Sequence, residues 1–175
     1  MMSPEWLGAL ARYNRWMNAK LYEIAAELGD EARKRDMGAF FKSIHGTLNH
    51  LLVGDRIWLA RFNGDVLPAG FLGPSGIRSL DHELCVEFDD LRRERALTDD
   101  ALAAWVSELT PERLAAPFVY IRLGERHEMP LWWAVAHLFN HQTHHRGQVT
   151  TLLMQQGHDP GGTDLFTMLR QEAVR

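Results

Sequence analysis

The apolar residues of this chain recur at three- and four-residue spacing over four long segments. Positions that far apart fall on one face of an α-helix, so each segment predicts an amphipathic helix that buries one face. The segments run from about Pro4 to Leu28, Met37 to Phe62, Leu80 to Ala96 and Pro130 to Gln156. Because no other part of the chain makes a persuasive sheet, the pattern predicts an all-α fold, a four-helix bundle in one domain over residues 1-175.

The connections between these predicted helices differ in length. Two of them, from the second helix to the third and from the third to the fourth, are long, which predicts crossover connections rather than a plain up-down-up-down bundle. The latter holds a shorter predicted helix from Thr98 to Leu109. It also alternates weakly around Gly124, which is compatible with a small hairpin or with an irregular loop. A turn and a short helix are expected at the end of the chain.

Composition and charge exclude several classes of protein. Hydrophobic residues make up 46% of the chain, which is enough for a core and excludes a disordered chain. The formal net charge of −4 argues against a nucleic-acid partner. The most apolar stretch, Leu131 to Phe139, is interrupted by His137, so no membrane partner is expected. Cys85 stands alone and the first residues lack a secretory signal, so a cytoplasmic location is expected.

The fourth helix carries two histidines where a bundle normally has leucine. His141 and His145 continue its apolar seam, about 40° apart around the helix and about 6 Å apart along it. This spacing lets two imidazoles bind one metal ion from a single helix face. The alternatives are two core histidines with hydrogen-bond partners, or a rival pair formed by His137 and His141.

A third ligand is needed, and the second helix offers two candidates. His50 is favoured because Gly46, Thr47 and Gly54 lie on its side of the helix and leave room around the ring. His45 is the rival, since it lies beside apolar residues on the same helix.

Two familiar metal sites are excluded by missing residues. A zincin has a glutamate directly after its first histidine, and Gln142 occupies that position here. A di-iron carboxylate bundle uses Glu-x-x-His pairs, and the fourth helix contains no glutamate. A site built from imidazoles favours zinc or nickel over calcium or magnesium.

Three segments resemble the DinB-like (DinB/YfiT-like) superfamily of metal-dependent four-helix-bundle proteins. NHQTHHRGQVTTLLMQQG (140–157) resembles its last helix, TLNHLLVGDRIWLARF (47–62) its second and RYNRWMNAKLYE (12–23) its first. The resemblance implies a bundle of unusual connectivity, often a homodimer, with one metal ion bound by three histidines. Matched residue by residue, these are His50, His141 and His145. Some members of the superfamily are transferases or isomerases that use a low-molecular-weight bacterial thiol.

Together these observations lead to two hypotheses of function. The first is a metal-dependent enzyme that activates a small thiol or a water for transfer to, or hydrolysis of, a small-molecule substrate. The second is a non-catalytic metal-binding stress protein of the DNA-damage-inducible type. No catalytic side chain is assigned; Arg146 is a possible substrate contact, with a capping or inter-helix hydrogen bond as its alternative.

Overall fold

The structure is a computed structural model that describes residues 2–174, and it is mostly helical. Seven helices and one two-stranded sheet follow one another within those residues. Their bounds are α1 Pro4–Ala26, α2 Asp30–Lys34, α3 Ile44–Asn63, α4 Phe88–Ser107, α5 Pro111–Ala115, β1 Pro117–Arg122, β2 Glu125–Pro130, α6 Leu131–Gln155 and α7 Leu165–Ala173.

The four long helices pack on one another. α1 packs against α4 and α6, and α3 packs against the same two helices. α3 and α6 run in opposite directions, because His50 lies beside His145 whereas Trp58, two turns later on α3, lies beside His137, two turns earlier on α6. The predicted helical fold is therefore confirmed. None of the helices within residues 2–174 is long and apolar enough to cross a membrane.

The start of α3 differs from the prediction. The helix begins after Ser43, whose hydroxyl accepts a hydrogen bond from the Gly46 amide at 3.0 Å, and not at Met37. The residues between turn sharply: Gly38 has a φ of 74° and Lys42 a φ of 64°. Backbone in that region cannot continue a right-handed helix, so the apolar spacing of this stretch reflects a packed turn.

The predicted third helix was wrong at both of its ends. Residues 80–87 are irregular, and α4 instead runs from Phe88 without a break through the position where two helices were expected to meet. At that position Thr98 bonds the Glu94 carbonyl at 2.8 Å, and Asp99 pairs with Arg95 one turn earlier at 2.9 Å. These contacts lie within the helix and hold it together, so the polar residues do not end it.

The weak alternation around Gly124 is a hairpin. β1 and β2 pair antiparallel, with Pro117 opposite Pro130 and Arg122 opposite Glu125. The two central residues of the turn, Leu123 and Gly124, have positive φ values of 51° and 85°. Positive φ at both positions is the geometry that lets a two-residue loop follow the twist of its strands. The hairpin leads directly into α6.

A buried polar layer crosses the interior between two apolar clusters. One cluster includes Leu21 and Leu153, and the other includes Leu7 and Leu138. The layer between them consists of residues from all four long helices, each at most 5% exposed: Asn14, Asn18, Asp55, Arg95, Asp99, Gln142 and Arg146. The predicted histidine site lies beside this layer, because His141 and His145 flank Gln142 on α6.

Candidate metal centre

Three histidines from two helices converge at one point. The Nε2 atom of His50 lies 3.0 Å from Nε2 of His141 and 3.2 Å from Nε2 of His145. One ring nitrogen from each of the three lies within 4.8 Å of the others. The structure thus brings together the three residues that the spacing and the resemblance favoured.

Hydrogen bonds at the Nδ1 atoms of His50 and His145 leave the Nε2 atoms of these two rings as acceptors. Nδ1 of His50 lies 2.8 Å from the carbonyl oxygen of Leu80, and Nδ1 of His145 lies 2.7 Å from the side-chain oxygen of Gln148. Those oxygens only accept, so each Nδ1 carries the proton and each Nε2 of a neutral ring carries a lone pair. Two lone pairs that face each other at 3.2 Å repel unless a cation lies between them. The donor set therefore fits a divalent metal ion, which the Nε2 atoms of the three histidines would bind.

The environment keeps these rings neutral. Burial lowers the pKa of His50 to about 4 and the pKa of His141 to about 3, and it also lowers the pKa of His145. A neutral imidazole is the form that binds a metal. At neutral pH, protons therefore do not compete with a metal for this site.

An aromatic ring and two glycines shape the site. Phe41, in the turn before α3, stacks on His50 with ring centres 3.7 Å apart and meets the edge of His145. A Cβ on Gly46 would lie 2.2 Å from the Phe41 carbonyl oxygen, so only glycine lets this turn fold over the helix. A Cβ on Gly54 would lie 3.1 Å from Cε1 of His141. The two glycines do leave room, but for Phe41 and His141 rather than for His50.

The rival candidates lie elsewhere. His45 is buried, with Nε2 at 2.9 Å from the Cys85 carbonyl oxygen, so it holds the loop before α4. His137 contacts Trp58 and lies one turn from the cluster. Within residues 2–174, no cysteine, carboxylate or fourth histidine adds a ligand atom to the cluster, and the Cys85 thiol is buried apart from it.

A cavity of about 250 Å³ opens beside the cluster. His50 and His141 form part of its wall, and apolar residues of α3 and the following loop, including Ile57 and Leu72, form another part. The hairpin contributes Arg122. The volume is near the lower end of the range for small-molecule sites, so a small ligand can reach two of the three imidazoles.

Comparison with known proteins identifies the family of this chain. The family model described as "DinB family" matches residues 2–173. The chain belongs to the DinB family. It is 25% identical over 157 residues to Protein DinB of Bacillus subtilis (strain 168), covering 89% of this chain and 88% of that protein.

A solved structure supports the fold of this DinB family protein. The crystal structure of a DinB-like protein from Bacillus cereus ATCC 10987 superimposes with a TM-score of 0.56 at 20% identity. The match covers 83% of this chain and 89% of that chain. At this identity the likeness shows a shared fold.

The polar residues around the histidines have separate roles in this DinB family protein. Gln148 orients His145, as described above. Gln142 bonds the Asp55 carboxylate and lies 3.4 Å from the Leu51 carbonyl oxygen, which ties α6 to α3. Arg146 is 3% exposed and donates to Asn14. It belongs to the buried polar layer and does not line the cavity. Of the two roles predicted for Arg146, its bond to Asn14 is thus the inter-helix hydrogen bond and not a contact to substrate in the cavity.

Two groups that build the site were not predicted from the sequence. The carbonyl of Leu80 holds His50, but a backbone oxygen leaves no sequence signal, and its segment was predicted to be helical. Phe41 lies within the segment that was predicted to be helical from Met37 onward, whereas the helix begins only after it. Gly38 before it was the available signal, because a glycine close to the start of an apolar run often marks a turn.

Proposed function

We propose that this DinB family protein is a metal-dependent enzyme that activates a small thiol or a water for transfer or hydrolysis on a small electrophile. The observation that carries the proposal is the cavity beside a three-histidine cluster to which no fourth protein ligand contributes within residues 2–174. Structural zinc sites are usually closed by four protein ligands, whereas catalytic sites leave one position for a water or a substrate.

The chain supplies orientation, an apolar wall and one titratable group. The Leu80 carbonyl and Gln148 hold two of the imidazoles in place. When bound, a divalent ion lowers the pKa of a water or thiol ligand and so makes it nucleophilic near neutral pH. His137 lines the same cavity, and burial together with the charge of Arg61 lowers its pKa, so it is neutral at pH 7 and can accept a proton.

We propose zinc or nickel as the metal and a low-molecular-weight bacterial thiol as the first cosubstrate to test. Three imidazoles without a carboxylate or thiolate suit these ions better than calcium, magnesium or manganese. The thiol follows from the resemblance of the histidine segments to thiol-dependent members of the superfamily.

We also propose a cytoplasmic homodimer. Large apolar side chains at the surface support a second copy as partner, since Trp133 is 54% exposed and Phe166 is 67% exposed. Light scattering at micromolar concentration is expected to give twice the chain mass, and a strict monomer would contradict this part of the proposal.

The second candidate is a non-catalytic metal-binding stress protein. The tight packing of the histidines between Phe41 and the polar layer favours it, because a metal there would also link α3 to α6. The two candidates differ in the fourth coordination position: a catalytic site exchanges a ligand there, and a structural site does not.

The test compares variants in a thiol assay. Metal-loaded protein is incubated with several bacterial thiols and a panel of electrophiles, with His141→Ala as the blank. His144→Ala is the matched control, since His144 is exposed, lies three residues further on α6 and does not belong to the cluster. We expect turnover by the wild type and by His144→Ala only. Activity equal to the blank across the panel, with a fourth protein ligand on the metal, would leave the binding-protein candidate.

A further inference from the structure

The cavity beside the histidine cluster carries positive charge that the protein does not balance. Arg61 of α3 and Arg122 of the hairpin both line it. Within residues 2–174, no carboxylate lies within 4 Å of either guanidinium, although other arginines have such partners: Arg56 pairs with Glu94, and Arg95 pairs with Asp55 and Asp99. Two unpaired cations in one cavity attract an anion.

Aromatic rings hold Arg61 in place. Its guanidinium carbon lies 4.7 Å from the ring centre of Trp58 and 4.6 Å from that of Tyr120. Its Nε–H is buried and has no acceptor within the described residues. A guanidinium held against aromatic rings loses little freedom when it binds a planar carboxylate through its remaining N–H groups.

The histidine cluster and the two arginines lie along one cavity. His50 and Arg61 are eleven residues apart on α3, which places their backbones about 16 Å apart along the helix axis. Gly54 and Trp58 line the wall between them. The arginine side chain covers part of that distance, and a small molecule that reaches the histidines can cover the remainder.

We propose that Arg61 and Arg122 form a carboxylate-binding subsite of this cavity, so that the small molecule that reacts at the histidine cluster carries a carboxylate. The inference rests on the proposed function for the reacting end of that molecule. The carboxylate belongs either to the thiol or to the electrophilic substrate. The arginines bind the same group in both cases.

The test measures binding of two matched pairs of probes by NMR titration at low salt. One pair is 3-mercaptopropionate and its amide, titrated into zinc-loaded protein. The other is succinate and succinamide, titrated into metal-free protein. The variants are Arg61→Gln and Arg122→Gln. Arg126→Gln is the matched control, because Arg126 lies on the same hairpin, pairs with Glu128 at 2.7 Å and does not line the cavity.

We expect the wild type to prefer a carboxylate over its amide by about tenfold or more, the range of a charge-assisted hydrogen bond. In Arg61→Gln the preference falls to about twofold or less, because the carboxylate loses its charge-assisted hydrogen bond whereas binding of the amide does not depend on that charge. Arg122→Gln lowers it partly and, being on the exposed hairpin, leaves the helical core unchanged. Arg126→Gln keeps the wild-type preference.

The two probe pairs show which molecule carries the carboxylate. Discrimination of the succinate pair reports on the subsite itself, whichever molecule supplies the carboxylate. Discrimination of the thiol pair in addition assigns the carboxylate to the thiol, and discrimination of the succinate pair alone assigns it to the substrate. The succinate titration needs no metal, so it still reports on the subsite if the proposed function fails. No preference in the wild type for either pair, or a preference that survives both Arg61→Gln and Arg122→Gln, would overturn the proposal.

Discussion

Replacing Gly54 with alanine is expected to separate metal binding from folding. The added Cβ would lie 3.1 Å from Cε1 of His141, whereas carbon atoms in ordinary contact are about 3.5–4.0 Å apart. The imidazole must therefore move by about 0.4 Å or more, and the geometry of a metal site tolerates about 0.2 Å. We expect the affinity for zinc to fall about 10- to 100-fold, as it does when the positioning of a ligand is disturbed.

The same substitution acts in the opposite direction on the fold. Alanine is more favourable than glycine in a helix interior by about 1 kcal/mol, so α3 itself is strengthened. The shift of one partly exposed ring opposes that gain. Metal-free Gly54→Ala is therefore expected to be as stable as the wild type or more stable, by up to about 1 kcal/mol.

Gly147→Ala is the matched control for this experiment. Gly147 lies inside α6, two residues after His145, and an added Cβ there meets nothing within 4 Å. It gains helix propensity without touching the site. Zinc affinity is measured by competition with a chromogenic chelator, and stability by urea unfolding of the chelated proteins. If the zinc affinity of Gly54→Ala lies within about twofold of that of Gly147→Ala, His141 does not need to keep its position for metal binding, and the prediction is wrong.

Two further predictions concern the interior. Asp55→Ala leaves Arg95 buried without one of its carboxylate partners, so the free energy of unfolding, measured in urea, should fall by about 3–5 kcal/mol. Arg15→Ala is the control, because it breaks an exposed ion pair and should cost about 1 kcal/mol or less. Equal losses in the two variants would contradict the prediction. Metal-free protein should lose stability as the pH falls from about 6.5 towards 4. In the unfolded chain the imidazoles take up protons near pH 6.5, whereas in the folded protein the pKa is about 4 for His50 and about 3 for His141. The unfolded state therefore binds more protons over this range and is favoured as the pH falls. A stability that stays flat over this range, measured by urea unfolding, would contradict it.

The sequence predicted the long helices well because their signal is local. The termini of α1 and α6 lie within about two residues of the predicted positions. Pro4 marks the start of α1 and Gly157 marks the end of α6. The segment before α4 was mistaken because its apolar residues have helical spacing. Its carbonyls instead accept hydrogen bonds from His50, His45 and Asn49, and the sequence does not reveal such long-range partners.

The candidate ligands were also predictable, but their surroundings were not. The i, i+4 histidines share one helix face by helix geometry alone. The resemblance identified His50, whereas the space beside Gly46 and Gly54 on its helix belongs to Phe41 and His141. The positions of Arg61 and Arg122 could not be predicted in this way. They meet in one cavity because the hairpin packs beside α3, which depends on tertiary contacts between residues about sixty positions apart.

X-ray absorption at the metal edge of zinc-loaded protein identifies the ligands of the proposed metal centre. We expect one ion per chain, with three imidazole nitrogens at about 2.0–2.1 Å and one further ligand that changes from oxygen to sulfur when a small thiol is added. His145→Ala should lose the stoichiometric ion, whereas His144→Ala should retain it. Zinc held by four protein ligands, with a spectrum that does not change on addition of thiol, would contradict a three-histidine site with an open coordination position. So would a protein in which His144→Ala loses the metal and His145→Ala keeps it.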